Sequence, residues 1–370
     1  MYLKYLISLS FSFFTLANCT NALANTYKAN LSKSKSYQYL VKELSDELNQ
    51  LHNKNNFDGT IILLSRDQEI FSHSYGFANR ASKIKNTEDT VSDIGSIAKT
   101  FTAGAILKLV SEGKLTLETK LADIFPDSPS DKKALTIKSL LSHSSGIDNF
   151  HNQTDFDVMS KAEAIDKIFD LSMIGKQGKT VKYSNAAYTL LAAIVEKIAN
   201  MNFQTYVHKN LIKPLKLNNT GFYSDKKINY SNIAKGYGGS DNGQTTFEKG
   251  LTWALVGQGG MVSSANDLAI WFTAILNGNL PLNKPENLML QQANKKWMLG
   301  NIRHFSSWGT LSYYAGGSTD FGYTALAQYL PDLDISIIIL LNSYLDKYEN
   351  RSHQKLSKEH IFPILLNKKS

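Results

Sequence analysis

The 370-residue chain has a single cysteine, Cys19. One thiol can form no internal disulfide, and it offers no cysteine pair to a zinc or iron–sulfur site. H-E-x-x-H is missing, as is the G-x-S-x-G elbow. Those absences argue against a zincin-type metal centre and against the nucleophile of an α/β-hydrolase. No metal and no cofactor is implied. Arginine-rich blocks are missing as well. Basic residues outnumber acidic ones 40 to 32, for a net charge of +8, but they are spread along the sequence. Spread charge describes a basic soluble surface, suited to an anionic cell-envelope environment, rather than a nucleic-acid site. Past residue 17 no apolar run is long enough to cross a bilayer, and there is no internal repeat or low-complexity linker.

What is present begins with a leader. Lys4 is the only charge before Lys28, and Tyr5 to Ala17 is an apolar run of signal-peptide length. Ala22-Leu23-Ala24 then supplies a small-x-small cleavage pattern. The expectation is a signal peptide over residues 1–24 and a mature domain over 25–370, exported to the periplasm or secreted, with no transmembrane segment. A lipoprotein anchored through Cys19 is the weaker reading, because Asn18 is bulky for the position before a lipidated cysteine.

One stretch organises the remainder: Gly95-Ser96-Ile97-Ala98-Lys99, opening an apolar segment in which Ile97, Phe101, Ile106 and Leu109 recur near helical spacing. Residues three apart share a helix face, so Ser96 Oγ and Lys99 Nζ can meet. A serine hydroxyl needs a neighbour to take its proton, and a desolvated lysine can serve. The bare S-x-x-K pattern occurs seven times, and Ser96 is the one followed by a long apolar helix. Taken alone, the motif fits an N-cap serine beside a solvated lysine equally well.

Around it, Tyr37 to Leu51 carries apolar residues at helical spacing, and Gly59 to Leu64 with Ile70 to Gly76 reads as two strands joined by a tight turn. Residues 160–172 and 186–200 read as helices, and a further helix follows Gly259-Gly260-Met261 with its cap near Ser264. Leu311 to Ala315, Tyr323 to Leu330 and Ile335 to Leu341 read as strands, and 352–366 as a closing helix. Strands at both ends and helices between them predict an α/β fold of the α+β type. It is one antiparallel sheet built from both chain ends, about 37–95 and 305–370, with flanking helices and a mostly helical insertion at about 96–304.

Two more clusters could carry chemistry. Tyr183-Ser184-Asn185 precedes a helix. Nearby lysines would lower the Tyr183 phenol pKa and let it relay protons, and Asn185 offers a donor and an acceptor to a substrate amide. Tyr314-Ala315-Gly316-Gly317 lies in a strand where glycines admit close approach of a ligand or another backbone. A strand N–H there, with that of Ser96, could form an oxyanion hole. His143, in Ser142-His143-Ser144-Ser145-Gly146, reads as ordering its loop.

In order, Phe57-Asp58-Gly59-Thr60, Ser96-x-x-Lys99, Leu140 through Gly146, Tyr183-Ser184-Asn185, Lys213-Pro214-Leu215 and Gly259-Gly260-Met261 resemble the serine β-lactamase and penicillin-binding-protein superfamily, specifically its class C-like branch. The resemblance implies a serine hydrolase that forms an acyl-enzyme at Ser96, with Lys99 and Tyr183 handling protons. Asn185, Tyr314, Gly316 and Gly317 would contact an ester, amide or D-amino peptide, cell-wall peptides among the candidates. A β-lactamase or D-alanyl-D-alanine carboxypeptidase is the near alternative, and a non-catalytic binding or scaffold protein the distant one. The last motif departs from the family pattern, which has lysine or histidine where Tyr314 stands. The expectation is therefore weak β-lactam turnover and preference for uncharged esters or amides, unless a loop brings Arg303 or His304 into the site.

Overall fold

The computed structural model describes residues 35–55, 57–65, 67–150, 156–223, 225–240, 243–282, 287–345 and 350–367. Cys19 and the Ala22-Leu23-Ala24 pattern lie outside them. No helix among the described residues is long and apolar enough to cross a membrane.

From the first part of the chain come helix α1 (Lys35–Asn55) and strands β1 (Gly59–Ser65) and β2 (Gln68–Tyr75). The middle supplies α2 (Ala98–Ser111), α3 (Asn185–Ala199) and α4 (Ala265–Leu276). The last part supplies β3 (Arg303–Ser307), β4 (Thr310–Ser318), β5 (Thr324–Leu330), β6 (Ile335–Leu341) and the short α5 (Ser352–Lys355). The sheet order is β2-β1-β6-β5-β4-β3, with every pair antiparallel. The two chain ends thus share one sheet, as the apolar strand runs predict, with the helical segments inserted between them.

Alternation along the central strands sorts two cores. Ile62, Leu64, Ile338, Leu340, Ala325 and Ala315 pack with Ile97, Phe101 and Leu190 of the helical part. Ile61, Leu63, Ile337, Ile339, Leu326 and Tyr314 pack with Leu44 and Leu48 of α1 and with Leu356 and Phe362 near the C-terminus. β1 is buried along nearly its whole length, which explains why its sequence is continuously apolar rather than alternating.

The sheet leaves one gap in its hydrogen bonding. β3 pairs with β4 from Arg303 opposite Tyr314 to Ser307 opposite Thr310, so residues 315–318 have no β3 partner. The turn Gly95–Ile97 lies against that stretch. Gly95 has φ +48°, the left-handed region that glycine favours, and a Cβ on it would stand 2.7 Å from Ser318 N. On the facing strand, a Cβ on Gly317 would stand 2.1 Å from Ile94 O and 2.7 Å from Ser96 N. Two glycines therefore let the sheet and the Ser96 turn meet backbone to backbone.

Candidate active site

Ser96 lies in a single 3₁₀ turn, Gly95–Ile97, that runs straight into α2. Almost the whole circumference of α2 is buried, Lys99 included at 0% exposure. Trp271 of α4 fixes the helix from one side: its ring stacks on Phe101 with centroids 3.9 Å apart, and its Nε1 donates to Thr100 Oγ1 at 2.8 Å. Thr102 Oγ1 and Lys99 Nζ donate to the carbonyls of Gly257 and Gln258, both at 2.6 Å. Lys99 Nζ also donates to Ser96 Oγ at 3.0 Å, so the plain alternative of a solvated lysine does not hold.

Tyr183 completes the set, its hydroxyl donating to Ser96 Oγ at 2.8 Å. It immediately precedes α3, whose N-cap Ser184 accepts from Ala187 N–H at 3.2 Å. Tyr183 is 36% exposed, with its hydroxyl turned onto Ser96 Oγ. Burial raises its pKa well above the ordinary phenol value, and the Ser96 hydrogen bond opposes this only in part. The expected lowering by nearby lysines is thus corrected: desolvation sets the direction, and Lys182 points instead to Asp148 at 3.4 Å. Tyr183 is a neutral phenol at physiological pH.

His143 holds this tyrosine's surroundings. Its backbone is left-handed, φ +55°. Nδ1 accepts from Ser184 N–H at 3.2 Å, which leaves the ring proton on Nε2, facing Asn301 Oδ1 at 2.8 Å. The ring lies 4.5 Å from the Tyr183 and Trp297 rings and 5.0 Å from that of Tyr188. Burial pushes its pKa down to about 3, with Lys99 acting in the same direction. It is a neutral structural imidazole that orders the loop, as its motif suggested. The motif could not reveal its partner Asn301, 158 residues away.

The cavity beside Ser96 has a volume of about 440 Å³, and its walls include Tyr183, Trp297, Gly316, Gly317, Arg303 and Arg351. Asn185, also assigned to substrate, is 3% exposed, and its Oδ1 is buried without a partner among the described residues. Tyr314 differs most from expectation. Its hydroxyl accepts from Gln354 Nε2 at 2.7 Å and donates to His353 Nε2 at 2.9 Å. These two bonds tie the hydroxyl to the C-terminal helical segment, while Tyr314 also lines the Ser96 cavity. Gly316 makes room for it, since a Cβ there would stand 2.0 Å from the Tyr314 hydroxyl. No group of three or more His, Cys, Asp or Glu among the described residues could hold a metal ion.

Comparison with known proteins agrees with this geometry. The Beta-lactamase family model matches residues 44–357. Teichoic acid D-alanine hydrolase of Staphylococcus aureus is 25% identical over 288 residues, 77% of this chain and 69% of that protein. The structure of D-amino acid amidase from Ochrobactrum anthropi superposes with a TM-score of 0.75 at 17% identity, over 91% of this chain and all of that one. A class C beta lactamase from Rhodobacter sphaeroides superposes with a TM-score of 0.70 at 17% identity, over 87% of this chain and 99% of that one. At such identities the structural likeness shows the fold; the family match spans most of the chain. The chain belongs to the Beta-lactamase family.

Proposed function

We propose that this protein is a serine hydrolase that cleaves an ester, amide or D-amino peptide through an acyl-enzyme at Ser96. One observation carries the reading: Ser96 Oγ is held between Lys99 Nζ at 3.0 Å and Tyr183 OH at 2.8 Å, on the wall of a cavity. As Oγ attacks the carbonyl carbon, its proton passes to Lys99 Nζ acting as the amine base. Tyr183, kept protonated by burial, donates to the leaving group and is reprotonated from Lys99. The backbone N–H groups of Ser96 and Gly317 receive the oxyanion, each donor worth roughly 3–4 kcal/mol. Water then attacks the acyl-enzyme with the same groups in reverse. Relatives named as a D-alanine hydrolase and a D-amino acid amidase support a D-configured acyl or amine component.

The test is covalent labelling with a fluorophosphonate and with a fluorescent penicillin, read by intact mass. A single adduct on the parent protein, absent from Ser96→Ala, is the expected result. A Ser96→Ala protein that labels as fast as the parent would exclude the assignment. We also place the protein outside the cytoplasm on the strength of residues 1–24. The mass of material exported by a bacterial host should correspond to a chain beginning at Asn25, and a lipidated Cys19 would overturn that.

A further inference from the structure

We propose that Asn301 is a specificity-determining residue of the Ser96 site, its side-chain amide donating to a neutral oxygen acceptor, such as a carbonyl, carried by the leaving group. This rests on the acyl-enzyme reading above and narrows its substrate class.

A chain of hydrogen bonds fixes which way that amide faces. Ser184 N–H donates to His143 Nδ1, so the ring proton sits on Nε2 and points to Asn301 Oδ1 at 2.8 Å. Oδ1 is thus spent as an acceptor, and Nδ2 is left with its two donors. Nδ2 has no partner among the described residues, and it is not one of the polar atoms sealed from solvent. Asn301 itself is 5% exposed and stands on the wall of the Ser96 cavity. A buried amide with free donors on a cavity wall calls for an acceptor in whatever fills the cavity.

The surroundings hold the amide still. Trp297 bridges to Arg303, and Met298 N–H donates to the Ile302 carbonyl at 2.8 Å, which closes the loop 297–303. Asn294 Nδ2 donates to the Ser142 carbonyl at 2.9 Å and ties the base of this loop to the His143 loop. Asn301 has φ +59° and His143 φ +55°. Two non-glycine residues in the left-handed region therefore meet in one hydrogen bond, the kind of backbone that clusters at functional sites. Two further neutral donors on the wall are already engaged, Tyr183 with Ser96 and Gln354 with Tyr314. Asn301 and Tyr183 flank the same imidazole, whose ring lies 4.5 Å from that of Tyr183. Tyr183 serves the leaving group, so the acceptor that Asn301 meets belongs to that component and not to the acyl chain. An N–H donor selects an oxygen lone pair and has nothing to offer an ammonium.

The test compares butyrate esters of 3- and 4-hydroxyacetophenone with those of 3- and 4-isopropylphenol. Acetyl and isopropyl groups have nearly the same shape, and only acetyl carries an acceptor. Aspartate tolerates the same left-handed backbone as asparagine and keeps an acceptor for His143, so Asn301→Asp removes the donor alone. The ratio of kcat/KM, acetyl over isopropyl, is taken on one preparation of each protein, which cancels any difference in folded fraction. In Asn301→Asp it should fall about 2–10-fold from the parent's for at least one isomer, the worth of one neutral hydrogen bond. Asn301→Gly, also suited to the backbone, should show a similar fall. A ratio unchanged in Asn301→Asp for both isomers overturns the assignment. A second arm needs no turnover: saturation-transfer NMR of 4-hydroxyacetophenone and 4-isopropylphenol, mixed in equal amounts, with Ser96→Ala protein. The acetyl phenol should give the stronger relative signal, and lose that advantage when Asn301→Asp is added. Equal relative signals in the two proteins overturn the inference. Absence of covalent labelling at Ser96 would instead reject the acyl-enzyme reading, and this second arm alone would then decide the Asn301 donor.

Discussion

Ser96 Oγ receives two hydrogen bonds, from Lys99 and from Tyr183, and the proposed acyl transfer uses both donors in one proton cycle. Lys99→Ala and Tyr183→Phe should each slow acylation by roughly 10²–10⁴-fold, the usual worth of positioned acid–base groups. The double variant should lose little more than the worse single one, because groups acting as a unit are strongly non-additive. Single-turnover acylation by a p-nitrophenyl ester measures this, and losses that multiply would mean the two residues act separately. Their structural costs should differ. Tyr183→Phe keeps the ring against His143 at 4.5 Å and Trp297 at 6.0 Å, so its melting temperature should stay near that of the parent. Lys99→Ala strips the Gln258 carbonyl of a buried donor at 2.6 Å and should lose about 1–3 kcal/mol.

The junction between the Ser96 turn and β4 works at the scale of elements. Because Gly317 faces Ile94 O and Ser96 N within the space of one methyl group, Gly317→Ala must push the strand from the turn and separate the two proposed oxyanion donors. Gly259→Ala makes a fitting control, since its Cβ would meet only the side chain of Leu255, at 3.3 Å. The expectation is loss of fluorophosphonate labelling in Gly317→Ala with its far-ultraviolet circular dichroism kept, and normal labelling in Gly259→Ala. Normal labelling in both would show that the close approach is not required.

This junction also marks how much the sequence could tell. The strand runs at Gly59–Ser65, Thr324–Leu330 and Ile335–Leu341 were legible because central strands covered on both faces must be apolar. Ser96 and Lys99 were legible because a three-residue spacing on a helix is local; Tyr183, 87 residues from Ser96, was joined to them only through the ordered set of motifs that carries the family resemblance. Strand β3 was not. Arg303-His304-Phe305-Ser306-Ser307 is a partly exposed edge strand with no run of strong β-formers, so Arg303 was read as belonging to a loop. The commitment of Tyr314 to His353 and Gln354 was hidden for another reason. Those partners lie 39 and 40 residues away on a different element, and no periodicity encodes such a meeting.

Over the whole molecule, the two halves share their cores. Sheet residues Ile62, Leu64, Ile338 and Leu340 belong to the same apolar cluster as the helices around Ser96. β1 is sandwiched between β2 and β6, which binds the first strand of the chain to the last. Neither half can lose its packing without exposing the other's, so unfolding should be a single cooperative transition. Acid should weaken it through two imidazoles on opposite sides of the sheet. His143 and His353 are both buried, with pKa pushed down to about 3; for His353 desolvation is the main cause, with the Arg351 charge adding to it. In the unfolded chain each returns to about 6.5. Between those values the unfolded state binds more protons than the folded one, so stability is present in full above pH 6.5 and falls as the pH drops toward 3. Each histidine contributes a slope of about 1.4 kcal/mol per pH unit in that window. Urea unfolding of the parent at pH 7, 6, 5 and 4.5 should show this fall on top of whatever the carboxylates add. His353→Gln removes one titrating group, so its stability should decline less steeply than the parent's by about 1.4 kcal/mol per pH unit. Parallel slopes would mean that His353 is protonated in the folded protein. Two separate transitions in the parent would mean that the sheet and the helical part do not fold as one.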